Sequence, residues 1–295
     1  MTQTISFSKV LVALDCTEQD NHLLKHTWSL MNVFDFASIH FLYILPEFKS
    51  KSSLSLDFSA DELQFSKQEA CQLLAKEIQP FFDYKKELKI SLNVEHGDPQ
   101  YILKESIEKY GIDLMIVGKK ELEKGSGVVA RRIARKINAS VWFITSKANI
   151  DIEQILVPID FSDNAYRALQ FGLHFKEKKE TIEIILLHLI DFPSAAFSIE
   201  KDREDLTKIL KDHAQEGYEA FMQKHQLHAP DFRFEIYLKD ASCTSKYIRN
   251  VAHQNEADLI IMGVKGDTNS ADFDMGSIAE KMVTLEEEIP VLIVR

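Results

Sequence analysis

Leu11-Val12-Ala13-Leu14-Asp15 returns 145 positions later as Leu156-Val157-Pro158-Ile159-Asp160. Two further stretches share that offset. Phe41-Leu42-Tyr43-Ile44-Leu45 recurs as Leu186-Leu187-His188-Leu189-Ile190, and Asp113-Leu114-Met115-Ile116-Val117-Gly118 recurs as Asp258-Leu259-Ile260-Ile261-Met262-Gly263. One offset shared by three apolar stretches is the mark of an internal duplication, in which each copy is a folding unit. Between the copies runs the short joint Ser146-Lys147-Ala148-Asn149-Ile150. It sets two domains, 1–146 and 151–295, held by a linker too brief to let them roam.

Within each copy, short apolar runs alternate with helix-period segments, the pattern of a parallel α/β sheet. In the first copy strands are expected near 9–14, 38–45, 88–95, 112–117 and 140–145, with helices near 20–34, 61–84, 99–110 and 126–138. In the second, strands are expected near 154–159, 181–190, 231–238, 257–263 and 290–294, with helices near 162–178, 200–227, 242–255 and 275–286. The stretches 112–117 and 257–263 are almost wholly apolar, so they belong at sheet centres covered on both faces. The Ser-rich stretch 50–60 reads as a surface connection.

Composition narrows the functional classes. Of 295 residues, 45% are hydrophobic, enough for a core in each copy. No run of 18 apolar residues is present, so no membrane span is expected. The N-terminal residues lead into the first strand without a secretory pattern, and three cysteines without metal or redox spacing fit reduced thiols; both point to the cytoplasm. Residues 1–146 hold 18 basic and 19 acidic side chains, and residues 147–295 hold 17 and 27. The second copy therefore carries nearly all of the net charge of −11 and is a poor partner for nucleic acid.

An open parallel sheet binds ligands beyond the carboxyl ends of its strands, where strand order reverses. Three features of the second copy converge there. Asp160 ends the first strand. It could accept bonds from a ribose or base, or simply support the helix start that Ser162 caps. His188-Leu189-Ile190-Asp191 closes the second strand, with His188 read as a core histidine and the adjoining backbone as a match for an adenine edge. The third is Gly263-Val264-Lys265-Gly266, then nine residues, then Gly276-Ser277, a glycine set between a strand and a helix. Glycine allows close backbone approach and positive φ, and a helix N-terminus favours an anion.

These residues resemble the universal stress protein family. The resemblance rests on Ile155 to Ser162, Leu187 to Asp191, Ile260 to Gly263, the glycine–serine spacing through Ser277 and the terminal strand Pro290-Val291-Leu292-Ile293-Val294. It implies two tandem Rossmann-like domains, similar to adenine nucleotide α-hydrolases, each a five-stranded parallel sheet of order 3-2-1-4-5. It also implies ATP or a related adenine nucleotide in the second domain, held by Pro158, Asp160, Leu189, Met262, Gly263, Lys265, Gly266, Gly276, Ser277 and Ile278. Asp160 would meet the ribose–adenine end, the Leu189 backbone the adenine, and the glycines with Ser277 the ribose and phosphates. The family's last strand commonly pairs with a counterpart, which here implies an intramolecular pseudo-dimer through 141–144 and 291–294, or a homodimer. The implied role is a stress-response regulator with an unknown protein partner.

Departures from the pattern matter as much. The first copy keeps Asp15 and Gly118 but follows with Lys119-Lys120-Glu121, closes its loop four residues sooner at Gly127, and has Val128 where Ser277 stands. It is expected to bind nucleotide weakly or not at all. Its basic residues between 119 and 136 read as a solvated face or an anion site. In the second copy Asp267, Asp272 and Asp274 crowd the loop, which a polyphosphate tolerates only with a divalent ion such as Mg²⁺. Lys239-Asp240-Ala241-Ser242 replaces the first copy's Gly97-Asp98-Pro99. His22 and His26 share a helix face and could hold a metal, but no third ligand is evident, so they read as surface histidines and no metal is expected; His225 with His228 read likewise, and Cys16 as a small packing residue. Neither 16–20 nor 161–164 contains the glycine that an α-hydrolase would need after its first strand. A nucleotide-independent interaction scaffold is the competing reading.

Overall fold

A computed structural model describes residues 5–45, 60–82, 87–119, 132, 134–192, 200–228, 231–239, 243–266, 275–284 and 288–295. The chain divides into two compact units, Met1–Ile150 and Asp151–Arg295. In unit 1 the described elements are β1 (Lys9–Leu14), α1 (Gln19–Leu30), β2 (Ser38–Leu45), α2 (Ala60–Phe82), β3 (Lys89–His96), α3 (Pro99–Tyr110), β4 (Leu114–Lys119) and β5 (Ser140–Thr145). In unit 2 they are β6 (Gln154–Pro158), α4 (Asp163–Lys178), β7 (Glu183–Asp191), α5 (Glu200–His225), β8 (Arg233–Lys239), α6 (Thr244–Gln254), β9 (Leu259–Gly263), α7 (Ser277–Thr284) and β10 (Val291–Val294). Of the expected helix at 126–138 only residues 132 and 134–138 are described, and stretch 50–59 lies outside the described residues.

Each unit is a parallel sheet, as the sequence pattern predicts, of order 3-2-1-4-5, as the resemblance implies. The register repeats as well as the order. Leu11 pairs with His40 and Met115, and Leu156 pairs with Ile185 and Ile260, the same partners moved by 145. A one-residue slip would turn every side chain to the other face, so buried strands fix the register. Leu114, Met115 and Ile116 are inaccessible to solvent, as are Leu259, Ile260 and Ile261. The two apolar runs are thus the central strands the pattern predicts.

The repeated aspartates open these strands. The Asp113 carboxylate accepts the backbone N–H groups of Ser8 (2.9 Å) and Lys9 (3.1 Å), and Asp258 accepts those of Glu153 (2.8 Å) and Gln154 (3.0 Å). Each ties the start of the unit's first strand to the start of its fourth. Helix starts obey local chemistry. Asp98 caps α3 by accepting from Gln100 N (2.8 Å) and Tyr101 N (3.0 Å), Pro99 occupies the first turn, and Gly111 ends the helix at φ 62°.

Candidate functional site

In unit 2 the strand order reverses between β6 and β9, and a cavity of about 310 Å³ opens beyond their carboxyl ends. That is the low end of small-molecule sites. All ten residues singled out from the sequence line it: Pro158, Asp160, Leu189, Met262, Gly263, Lys265, Gly266, Gly276, Ser277 and Ile278. Ile159, Leu187, Ile248 and Val264 add apolar wall, and Thr244 adds a hydroxyl. Thr244 and Ile248 come from the first turns of α6, after a connection that departs from the family pattern, so no sequence signal marked them. Val264 and Ala279 could have been found as neighbours of the glycine set.

Asp160 does two jobs. Its Oδ1 accepts from Ser162 Oγ (2.6 Å) and Ser162 N–H (3.2 Å), and Ser162 Oγ in turn accepts Ala165 N–H (3.1 Å), capping α4. The other oxygen, Oδ2, presses against Gly266, where a Cβ would overlap it. One carboxylate therefore supports the helix start and also borders the loop. The turn that aims it is made at Phe161, a non-glycine residue at φ 62°. Such backbone is uncommon for a bulky residue and needs compensation. Phe161 stacks on His188 (4.5 Å between centroids) and packs near Phe221 (5.9 Å) and Phe234 (6.4 Å).

His188 is half-buried, and its Nδ1 lies 2.9 Å from the Ile159 carbonyl. It is satisfied as the core-histidine reading requires, and it also lines the cavity. The Leu187 carbonyl accepts Ile159 N–H at 2.8 Å. Two residues on, strand alternation turns the Leu189 backbone groups to the same side, where β6 has already ended. This leaves an open backbone edge at the cavity.

Of the two reasons expected for glycine here, close approach holds and positive φ does not. Among the described residues only Gly97 and Gly111 are glycines with positive φ. The cavity glycines are required by close approach of the protein to itself. A Cβ on Gly263 would sit 2.8 Å from the Asn164 carbonyl oxygen, and one on Gly276 would sit 3.2 Å from the Val264 carbonyl oxygen. Gly276 N–H also donates to that Val264 oxygen at 2.8 Å, which closes the loop's neck. Beyond it α7 begins. The N–H groups of Ser277, Ile278 and Ala279 have no intrahelical acceptor by helix geometry, and all three residues line the cavity. Asp267, Asp272 and Asp274 fall outside the described residues, as do Asp240, Ala241 and Ser242. Lys239 is buried and ion-paired with Asp191.

The same place in unit 1 is a slot of about 160 Å³, lined by Asp15, Gln19, Leu42, Ile44, Gly118 and their neighbours. Gln19 crosses it. Its Nε2 reaches the carbonyls of Lys119 (3.3 Å) and Ile144 (3.4 Å), and a Cβ on Gly118 would meet the carboxamide at 3.0 Å. Asp15 Oδ1 accepts from Thr17 Oγ1 at 2.6 Å, but Thr17 does not cap α1. A buried carboxylate, Asp20, holds the turn instead, accepting Asp15 N–H (3.1 Å) and Cys16 N–H (2.8 Å). Burial pushes its pKa up to about 6. Of the basic residues between 119 and 136, only Lys119, Arg132, Arg135 and Lys136 are described.

Three smaller readings need correction. Cys16 is not a packing residue; it is exposed and stands at φ 56° in the counterpart of the Phe161 turn. Partial burial of its sulfur and the nearby Asp20 raise its thiol to about 11, far from a reactive thiolate. His26 is not a surface residue but buried, and burial followed by His22 lowers its pKa to about 4. His225 ends α5, stacked 3.7 Å from Tyr166, while His228 is exposed. Among the described residues no helix is long and apolar enough to cross a membrane.

Comparison with known proteins agrees with this architecture. The universal stress protein family model matches residues 6–145 and again 151–295, so the chain belongs to that family and carries its domain twice. Two curated relatives are the universal stress proteins MJ0577 and MJ0531 of Methanocaldococcus jannaschii. They are 29% and 25% identical, each over 48% of this chain, and the matches cover 94% and 82% of those proteins. Two solved structures match almost end to end. A universal stress protein of Archaeoglobus fulgidus gives a TM-score of 0.63 at 18% identity, covering 98% of this chain and 97% of that one. One from Pseudomonas aeruginosa gives 0.63 at 14%, covering 98% and 93%. These two bear on the fold alone.

Proposed function

We propose that unit 2 binds ATP or a related adenine nucleotide, and that the chain acts in the cytoplasm as a regulatory module of the stress response. One observation carries this reading: the ten residues that sequence and resemblance single out come from four separate stretches and line a single cavity. The base fits the apolar walls of Ile159 and Leu187, with the open Leu189 backbone at its edge. Ribose hydroxyls suit Asp160. The phosphates suit the start of α7, where unsatisfied N–H groups, Ser277 and Lys265 gather. Mg²⁺ would offset the phosphate charge against the loop's aspartates. The glycine necks support the same fit, because side chains there would collide with Asp160 or the Val264 carbonyl and distort the cavity's rim. Ordering of the loop by ligand is the regulatory step, read out by a protein partner.

The test uses the whole chain. Denaturation of purified protein is expected to release adenine nucleotide. Mg·ATP at about a hundred times its dissociation constant is expected to add about 2.7 kcal/mol of stability. No thermal shift with Mg·ATP, from protein shown to be free of bound nucleotide, overturns the proposal and favours the scaffold reading.

A further inference from the structure

Unit 1 holds a pair of side chains that the duplicated architecture does not explain. His22 and His26 lie one turn apart on α1, and their counterparts 145 positions on are Arg167 and Phe171. The two Nε2 atoms are 3.2 Å apart. The ring centroids are only 4.6 Å apart and the planes cross at 69°. Rings meeting head-on through their nitrogens would hold their centroids farther apart, so the two rings meet tilted, edge to face, with their nitrogens in contact. A hydrogen bond favours a straight N–H···N line. Two imidazole nitrogens this close on successive helical turns are near enough to share one ion.

The surroundings repeat the point. His26 Nε2 also lies 3.3 Å from the Ala148 carbonyl oxygen. The backbone of Ala148 and Thr145 favours the charged form of His22, against the larger lowering of its pKa by burial. Two imidazole nitrogens and the Ala148 carbonyl oxygen therefore gather at the tight turn in which Ala148 N–H donates to Thr145 O (3.2 Å). A nitrogen placed between a second nitrogen and a carbonyl can satisfy only one of them with a single proton. A cation satisfies all of them together.

We infer that His22 and His26 form a site for a divalent transition-metal cation of the zinc and copper class. Zn–N bonds of about 2.0–2.1 Å to nitrogens 3.2 Å apart close at an angle near the tetrahedral one. Imidazole selects Zn²⁺, Cu²⁺ and Ni²⁺ over Mg²⁺ and Ca²⁺, which take oxygen. Among the described residues no cluster of three His, Cys, Asp or Glu side chains joins the pair, so carbonyl oxygen or water completes the shell. Lys25 is the nearby cation and lowers the affinity somewhat. The site belongs to the other unit and stands independently of the nucleotide proposal.

The experiment takes the full chain, stripped with chelator and free of nucleotide, and titrates it with Zn²⁺ by calorimetry. His22→Gln is the primary variant, because His22 is half-buried and its replacement leaves the core of α1 in place. One equivalent of Zn²⁺ is expected to vanish or weaken by at least about tenfold in that variant. Equal melting temperatures in chelator would confirm that its fold is intact. Mg²⁺ is expected not to compete. Cu²⁺ spin resonance reads the ligands directly: two coupled imidazole nitrogens in the parent chain and one in His22→Gln. Identical zinc stoichiometry and affinity in the two proteins, or no zinc binding by the parent, overturns the inference.

Discussion

The two units share one fold, one strand order and one register, yet their equivalent clefts are built to different ends. In unit 2, Asn164 stands where Gln19 stands in unit 1. The longer Gln19 side chain lies across the slot and bonds the carbonyls beside it, whereas the backbone of Asn164 comes up against Gly263 and leaves the space beyond it open. The cavities of about 310 and 160 Å³ follow. A duplicated sheet constrains its strands through burial, but the residues just past the strand ends carry no core and are free to diverge.

The largest contrast is expected at one repeated position. Gly263→Ala puts a Cβ 2.8–2.9 Å from the Asn164 backbone carbonyl and Cβ, which no rotamer change can relieve. It is expected to cost about 3 kcal/mol, the upper range of overpacking. Gly118→Ala meets only the flexible end of Gln19 at 3.0 Å and is expected to cost under about 1 kcal/mol. Urea midpoints of the two variants check this. Equal costs would mean that the clefts are equally tight at that position and the comparison fails.

This pair also shows how far the sequence could be read. The apolar runs and their common offset expose the inner strands β1, β2, β4 and their counterparts, because a strand buried on both faces has to be apolar throughout, whereas the edge strands β3 and β8 are mixed in sequence and mostly half-buried. The glycine spacing marks residues that line the cavity, and of the two reasons for glycine there, close approach is in force and positive φ is not. Close approach of one backbone to another depends on how α4 seats on β9, and no local pattern encodes that. The same limit hid Thr244 and Ile248, and it hid the burial of His26, which depends on the turn at Ala148 more than a hundred residues away. Phe161 and Cys16 were silent for a different reason: nothing in a side chain's identity announces a left-handed backbone held by its neighbours.

Next in size is a ligand effect confined to one unit. Ser277 is exposed at the first position of α7, so Ser277→Glu is tolerated by the fold, and its charge suits the helix N-terminus. The same charge repels phosphate. The variant is expected to lose most of the roughly 2.7 kcal/mol that Mg·ATP at about a hundred times its dissociation constant would add on the proposed reading. Asp15→Asn in unit 1 is expected to leave the shift unchanged. A full shift in Ser277→Glu would move the phosphates away from α7, and a loss in Asp15→Asn would bring the first cleft into the binding account.

A third contrast concerns pH. Asp20 is raised to about 6 by burial, so between about pH 4 and 6 the folded unit holds a proton that the unfolded chain releases. On its account stability falls as pH rises through that window. His26 is lowered to about 4, so between about pH 4 and 6.5 the unfolded chain holds the extra proton and stability rises with pH. The two slopes oppose and largely cancel. Asp20→Asn is expected to leave the His26 slope alone, giving a urea midpoint that climbs more steeply from pH 4 to 6.5 than in the parent, both measured in chelator. Unit 2 has Ala165 and Phe171 at these positions and contributes neither slope. An unchanged profile would show that the Asp20 carboxylate is ionised throughout the range.

The smallest difference lies at the helix starts. Ser162 Oγ accepts Ala165 N–H and so caps α4, while its counterpart Thr17 donates to Asp15 and leaves α1 without a side-chain cap. Ser162→Ala is expected to cost about 1 kcal/mol, and Thr17→Ala a few tenths. The capping loss also frees Asp160 from its shortest hydrogen bond, the 2.6 Å contact to Ser162 Oγ. Nucleotide affinity is therefore expected to fall along with stability in Ser162→Ala, because a carboxylate that has lost this bond is less firmly aimed at a ribose. If stability falls while affinity holds, Asp160 serves the helix alone, and adenosine recognition rests on the apolar walls and the Leu189 edge.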